Sequence, residues 1–357
     1  MPFTSISLGK TTFQITTSVG NCLQTYDLKR GLNLVFLSRP QTPQIITATQ
    51  AWKDKVLAAW CGESKGARPG VWLYKRGRKI EELLIPDDLN EPIKELLTLG
   101  AWIIGCCSTR VEVWKSTTYE HYTTIYTTAA TKGDDELTSV RCMPTFLNKV
   151  FVGRRDGVVE IWNVNTSKLV YTILPPFVDC GAVTALQPTP ALSLMAIAYS
   201  NGPLVIHDIR IDKTKICVHS KSSVSSISFR TDGFGAGEDG RKNGVMATAS
   251  LENGDVTFWD LNNGGRVMGI LRGAHNPPSG LDVLVGGGVN KVEFLQGQPV
   301  IMTSGLDNSL KSWIFDESPY SQIPRILHSR SGHAAPIMKL QFLPAEADGA
   351  DATGKWL

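Results

Sequence analysis

No apolar run in this chain reaches the ~18 residues that a membrane-spanning helix needs, and no basic-then-apolar leader precedes Phe3. A soluble chain with no membrane partner is the expectation. The seven cysteines are odd in number, lack any C-x-x-C spacing and mostly sit in apolar, strand-like runs. That pattern argues against a disulfide framework or a zinc ribbon and for buried thiols in a reducing compartment, where the sequon at Asn165 goes unused. The six histidines show neither H-x-x-x-H nor H-E-x-x-H spacing, so no metal site is indicated. A formal net charge of only +3 does not indicate a global polyelectrolyte mode of nucleic-acid binding and leaves local patches open. Helical periodicity is nearly absent. Only "EPIKELLTL" could pass as a helix, and its place in the pattern described next argues for a strand.

What the chain does have is repetition. "SGLDNSLKSWIFD" contains a tight-turn pair, an alternating strand and an aromatic residue, Trp313, six positions after Asp307. "RRDGVVEIWNV" puts Asp156 six before Trp162, "LENGDVTFWDL" puts Asn253 six before Trp259, and "YSNGPLVIHDI" puts Asn201 six before His207. Trp114 in "STRVEVWKS", Tyr74 in "ARPGVWLYKRG" and Tyr26 in "GNCLQTYDL" occupy the same slot. The steps between successive slots are 48, 40, 48, 45, 52 and 54 residues, a period typical of propeller blades.

Each period resolves into four short strand-like segments, a to d. The fourth unit reads "LTSVRCMP", "KVFVGRR", "VVEIWNV" and "KLVYTIL", with alternating apolar and polar positions and β-branched enrichment. An all-β fold follows: a seven-bladed β-propeller of four-stranded antiparallel blades over residues 1–335, an arrangement that leaves only short strand edges exposed. Antiparallel order sorts the connections into two sets. Turns b–c and d–a include "RRDG", with Arg154 and Arg155, and the Gly-rich insert 273–288. Turns a–b and c–d include "KRGRK", with Lys75, Arg76, Arg78 and Lys79, and the insert 230–244. Clustered cations on surface turns are candidate phosphate or partner contacts, or simply solvated turns that keep the protein soluble.

The residues now carry a resemblance. "FWDL" with Trp259 and Asp260, "GAH" with His275 and "SGH" with His333 resemble the WD-repeat family, whose blades pair a Gly-His before strand a with a Trp-Asp closing strand c. The likeness spans the chain but is degenerate, because Trp114, Trp162 and Trp313 are followed by Lys115, Asn163 and Ile314. The family's blades contain an Asp–His–Ser/Thr–Trp hydrogen-bonded network. In this sequence no blade presents all four members, so hydrophobic packing is expected to hold most blades. Longer strings outside the repeat pattern, among them "PFTSISLGKTTFQI", "SFRTDG", "TFLNKV" and "GQPVIMTSGLDNSLKSWIFDES", are similar to the WD-repeat subunits of UTP-B in the small-subunit processome. That resemblance implies a nucleolar, nuclear scaffold supporting pre-rRNA processing. Its implied partners are the other WD-repeat subunits of UTP-B, with pre-rRNA and the U3 small nucleolar RNA particle contacted directly or indirectly. The alternative is a generic WD-repeat adaptor that binds a peptide or protein.

Three strings mimic catalytic motifs. "GESKG" lies in a hairpin rather than a strand-to-helix elbow, "GAGEDG" leads into a strand where phosphate binding wants a helix N-terminus, and "GADATGKW" has Trp356 where Mg²⁺ binding wants Ser or Thr. No enzyme, no cofactor and no small-molecule substrate are expected. Beyond the seventh unit, "SGHAAPIMKLQFLP" repeats a Gly-His and a strand a. Residues 336–357 are therefore expected to open a further WD repeat, and the chain to be a piece of a longer protein with native sequence before Pro2.

Overall fold

The computed structural model describes residues 3–7, 13–62, 68–86, 88–127, 136–143, 145–190, 193–232, 244–275, 288–316, 323–333, 336–337, 339–340 and 342. These contain 28 strands in seven antiparallel sheets of four and no helix. Blade 1 is β1–β4 (Phe3–Ser7, Phe13–Val19, Cys22–Asp27, Asn33–Leu37) and blade 2 is β5–β8 (Ile46–Trp52, Lys55–Trp60, Gly70–Lys75, Arg78–Leu83). Blade 3 is β9–β12 (Glu95–Leu99, Trp102–Cys106, Arg110–Lys115, His121–Tyr126) and blade 4 is β13–β16 (Leu137–Cys142, Lys149–Arg154, Val159–Asn163, Lys168–Ile173). Blade 5 is β17–β20 (Val183–Pro188, Leu194–Tyr199, Pro203–Asp208, Lys213–His219) and blade 6 is β21–β24 (Val224–Phe229, Val245–Ser250, Val256–Asp260, Arg266–Leu271). Blade 7 is β25–β28 (Val289–Phe294, Val300–Gly305, Leu310–Ile314, Arg325–Arg330). The fold is an all-β, seven-bladed β-propeller in which each blade comes from one continuous stretch of chain. "EPIKELLTL" supplies β9, with Ile93, Leu96 and Leu99 buried, so the helical reading of that string fails.

Two compact units divide the chain. Residues 1–152 with 160–171 form one, and residues 153–159 with 172–357 the other. In the first, apolar clusters join blade 1 to blade 2, blade 2 to blade 3 and blade 3 to blade 4. In the second they join blade 5 to blade 6 and blade 6 to blade 7. Because blades stack face against face, the second strand of blades 2 to 7 is buried on both sides, whereas β2 of blade 1 keeps its alternation. Every residue of β22, "VMATAS", is buried, as are Leu57, Ala58 and Ala59 of β6. Such strands read as nearly continuous apolar runs, and the alternation expected of all four segments is not found in them. Small side chains recur there because facing sheets must approach closely, and each larger aliphatic chain buried adds ~1.5–3 kcal/mol.

Two irregularities repeat through the blades. In six of them the pairing of the third and fourth strands slips by one residue immediately before the aromatic slot, at Tyr26, Tyr74, Trp114, His207, Trp259 and Trp313. A bulge at that point bends the outer strand and increases its twist. In blades 2, 5, 6 and 7 the first strand bulges at its second residue, Thr47, Thr184, Ser225 or Asn290. Thr47 Oγ1 donates to the Ile93 carbonyl at 2.7 Å and Ser225 Oγ to the Val289 carbonyl at 2.7 Å, each at the entry of the next blade's first strand. Asn290 Nδ2 donates in the same way to the Ile337 carbonyl, at 2.8 Å, and Ser304 Oγ adds a second bond to that oxygen at 3.1 Å. Ile337 thus holds, against blade 7, the place that Ile93 holds against blade 2. The described residues among 336–342 form no strand.

Candidate interaction surface

The slot residues Tyr26, Tyr74, Trp114, Trp162, His207, Trp259 and Trp313 each occupy the penultimate position of the third strand of their blade. Trp114, Tyr74, Trp259, His207 and Trp313 are buried; Tyr26 and Trp162 are half-buried. Each polar slot atom finds its own partner. Trp114 Nε1 donates to the Leu84 carbonyl, Trp162 Nε1 to Glu160 Oε2, and the Tyr74 hydroxyl to the Pro40 carbonyl.

Blade 7 overturns the expectation that no blade completes the WD network. Trp313 Nε1 donates to Thr303 Oγ1 at 2.9 Å, and Thr303 Oγ1 lies 2.7 Å from His275 Nε2. His275 Nδ1 in turn lies 2.8 Å from Asp307 Oδ1. One assignment satisfies every atom: His275 carries its proton on Nδ1, donates it to the carboxylate and accepts the Thr303 hydroxyl proton on Nε2. Burial holds the His275 imidazole below its ordinary range although Asp307 opposes this. For Asp307, burial works against ionisation, but hydrogen bonds from Ser309 and His275 outweigh it and keep the carboxyl low. Gly305 makes the seat possible, because a Cβ there would come within 2.3 Å of the imidazole. The sequence hides this network by placing residues 276–288 between His275 and β25.

Blade 6 retains only part of it. Trp259 Nε1 donates to Thr248 Oγ1 at 2.9 Å, but by strand register Ser222 stands at the place of His275, and its hydroxyl bonds Ser250 Oγ at 2.8 Å. A cavity of about 100 Å³ remains, lined by Ser220, Thr248, Ser250, Asn253, Asp255 and Trp259 among others.

The basic residues singled out in the sequence are not brought to equal use. Lys75 pairs with Asp54 at 2.8 Å, and Lys79 pairs with Glu82 at 2.6 Å while its ammonium sits 3.6 Å from the Trp72 ring centre. Arg154 is buried, with its guanidinium on Asp156, and Arg155 also has a partner. Arg76 and Arg78 are exposed and lack an acidic partner among the described residues. They flank Gly77 in the tight turn between β7 and β8, where Arg76 (φ 48°) and Gly77 (φ 77°) both take the left-handed conformation of a type I′ hairpin. Sequence reasoning missed their third member, Arg39. Its N–H donates to the Gly77 carbonyl at 2.7 Å and its carbonyl accepts from Lys79 N–H at 3.0 Å, forming a parallel bridge between Arg39 and Arg78. Only a lone "SRP" after β4 marks it in the sequence.

Nothing with catalytic geometry emerges among the described residues. Most of "GESKG" and all of "GAGEDG" and "GADATGKW" lie outside them. Burial pushes the thiols of Cys106 and Cys107 up and that of Cys142 up to about 12, well away from a thiolate at neutral pH. Cys217, by contrast, is exposed. No group of three His, Cys, Asp or Glu side chains is placed to hold a metal ion among the described residues, and they contain no helix long and apolar enough to cross a membrane.

Comparison with known proteins gives a consistent picture. A family model described as the WDR36/Utp21 first beta-propeller matches residues 15–316. The chain is 34% identical over 343 residues to U3 small nucleolar RNA-associated protein 21 homolog of Schizosaccharomyces pombe, covering 96% of this chain and 34% of the relative. It is 33% identical over 364 residues to U3 small nucleolar RNA-associated protein 21 of Saccharomyces cerevisiae, covering 97% and 35%. The chain thus spans about a third of the length of these curated relatives. Among solved structures, the computationally designed Ika8 protein superposes with a TM-score of 0.65 at 15% identity, covering 95% of this chain and 90% of that one, a likeness of fold alone.

Proposed function

The chain belongs to the WDR36/Utp21 family, of which it spans the first β-propeller, and on that premise we propose that it is a non-catalytic scaffold of ribosome biogenesis in the nucleolus. In this reading it supports pre-rRNA processing as part of UTP-B in the small-subunit processome, beside the other WD-repeat subunits. The observation that carries it is the family match across residues 15–316, together with the names of relatives aligned over nearly the whole chain. The polar chemistry agrees. In blade 7 the buried His275 and the half-buried Asp307 serve blade cohesion.

Association with the U3 particle is proposed to run through protein partners. The turn Lys75 to Lys79 has two of its four cations already paired, and Arg154 is buried, which is a poor basis for sequence-independent phosphate binding. We also propose that residues 336–357 open a further WD repeat after a propeller at 1–335. The bond from Asn290 to Ile337 supports this, since it repeats the blade-to-blade bond of Thr47 and Ser225. Affinity purification of the tagged full chain tests the functional reading. Enrichment of UTP-B subunits, U3 small nucleolar RNA and precursor rRNA is expected. Recovery of a ligase or chromatin assembly without them would overturn it in favour of a generic adaptor.

A further inference from the structure

The outer edges of six blades are guarded in one way. β8, β12, β16, β20, β24 and β28 each begin with a cationic residue or histidine: Arg78, His121, Lys168, Lys213, Arg266 and Arg325. Charge on an edge strand discourages pairing with another chain. β4 lacks this guard. Its sequence "NLVFL" holds no ionisable residue, and Leu34, Val35 and Leu37 are 50%, 38% and 42% exposed. β4 is also the terminal strand of its sheet. Ser38 N–H points inward to the Leu23 carbonyl at 2.9 Å, so by antiparallel alternation the N–H groups of Leu37 and Arg39 point outward. Arg39 shows what that edge can do, since both its backbone groups are already taken up in the bridge to the Arg76–Lys79 turn. Gly77 also packs against the Leu37 carbonyl, and over Asn33–Phe36 no further described strand pairs with the edge.

A cavity of about 330 Å³ lies where this edge meets the turn, lined by Leu34, Val35, Phe36, Leu37, Arg39, Arg76, Gly77 and Arg78. The three guanidiniums are exposed and have no acidic partner among the described residues, whereas the neighbouring lysines are neutralised by Asp54 and Glu82. We propose that the outer edge of β4 is a docking edge for an extended acidic segment of a protein partner. The segment adds to blade 1 as a fifth strand, with its carboxylates against Arg39, Arg76 and Arg78. Main-chain bonds to the edge supply affinity, alternate apolar side chains cover Leu34, Val35 and Leu37, and the carboxylates set the end point. A nucleic-acid strand would use the arginines but gain nothing from the aliphatic edge beside them. The inference goes beyond the scaffold role and stands or falls separately, because it concerns one edge of one blade.

The test uses the full chain and a fluorescein-labelled synthetic peptide of alternating valine and threonine with three glutamates at one end, made in both orientations. Counterparts are the same peptide with lysines in place of the glutamates, and an oligouridylate. Saturable binding of a glutamate peptide is expected, with slowed amide exchange across residues 33–37. Arg76→Glu with Arg78→Glu, and separately Val35→Lys, should each weaken it about tenfold or more, while Arg76→Lys with Arg78→Lys retains most of it. These side chains are exposed, and unchanged melting temperatures would show that the variants fold. The proposal is overturned if neither orientation binds, if the lysine peptide binds as well, or if the substitutions change nothing. Oligouridylate binding that alone depends on Arg76 and Arg78 would assign the arginines to RNA. A dimer of the chain dissolved by Val35→Lys would assign the edge to a second copy.

Discussion

Thr303 has two buried neighbours that depend on a single hydroxyl. It accepts from Trp313 Nε1 and donates to His275 Nε2, so Thr303→Val leaves a buried donor and a buried acceptor without partners. A loss of ~1–3 kcal/mol is expected for each group orphaned, measured by urea unfolding. Trp313→Ala removes a packed ring as well and should cost ~3–5 kcal/mol; a shift below about 1 kcal/mol would sink its role in the blade. The same network responds to pH. The folded-state value of His275 lies below its ordinary 6.5, so between the two the unfolded chain binds more protons. Its contribution is therefore complete above pH 6.5 and is lost as pH falls below it. Asp307, also depressed when folded, adds a further loss at lower pH, as protonation of its carboxylate becomes possible. Unfolding free energy should fall on acidification across pH 6.5. His275→Gln should flatten that slope without abolishing it, since burial depresses His207 in the same direction.

At the scale of the element, blades 6 and 7 differ by a pair of residues that act together. Blade 7 has His275 and Gly305; blade 6 has Ser222 and Ser250 at the matching places. A Cβ on Gly305 would meet the His275 ring at 2.3 Å, and Ser250 carries that Cβ. Ser222→His alone should therefore gain little or lose stability, despite the cavity beside it. Ser222→His with Ser250→Gly should fill the cavity and reach Thr248, with a favourable coupling of ~1 kcal/mol in a double-mutant cycle. Additive single effects would refute the correspondence. The strand order itself was legible: each period's four segments became four strands, and "EPIKELLTL" was placed correctly by its position in the repeat. The bulges before Tyr74, Trp114 and the other slots were not, because a one-residue slip leaves the pattern of each separate strand unchanged.

On the scale of the whole molecule, Ile337 seats on blade 7 through Asn290 and Ser304. Removing residues 336–357 should lower the melting temperature and speed amide exchange in β25, and Asn290→Ala should reproduce part of both. Unchanged exchange in β25 would show that the seat carries no stability. Scaffolds of this architecture place interactions on edges and turns because their strands are consumed by blade packing. The open edge at β4 follows that logic.

By itself, the sequence determined the number of blades, their strands and the aromatic slot, because period-two alternation and a repeat of 40 to 54 residues are local properties written along the chain. It also identified the cations of the Lys75–Lys79 turn, but not which of them are free. Only the tertiary structure decided that Asp54 and Glu82 neutralise the lysines, that Arg39 joins Arg76 and Arg78 beside an unguarded edge, and that His275 reaches Asp307 across a long connection. The physical reason is common to all three. Hydrogen bonds and ion pairs act over a few ångströms in space, between side chains whose separation along the chain carries no period that could announce them.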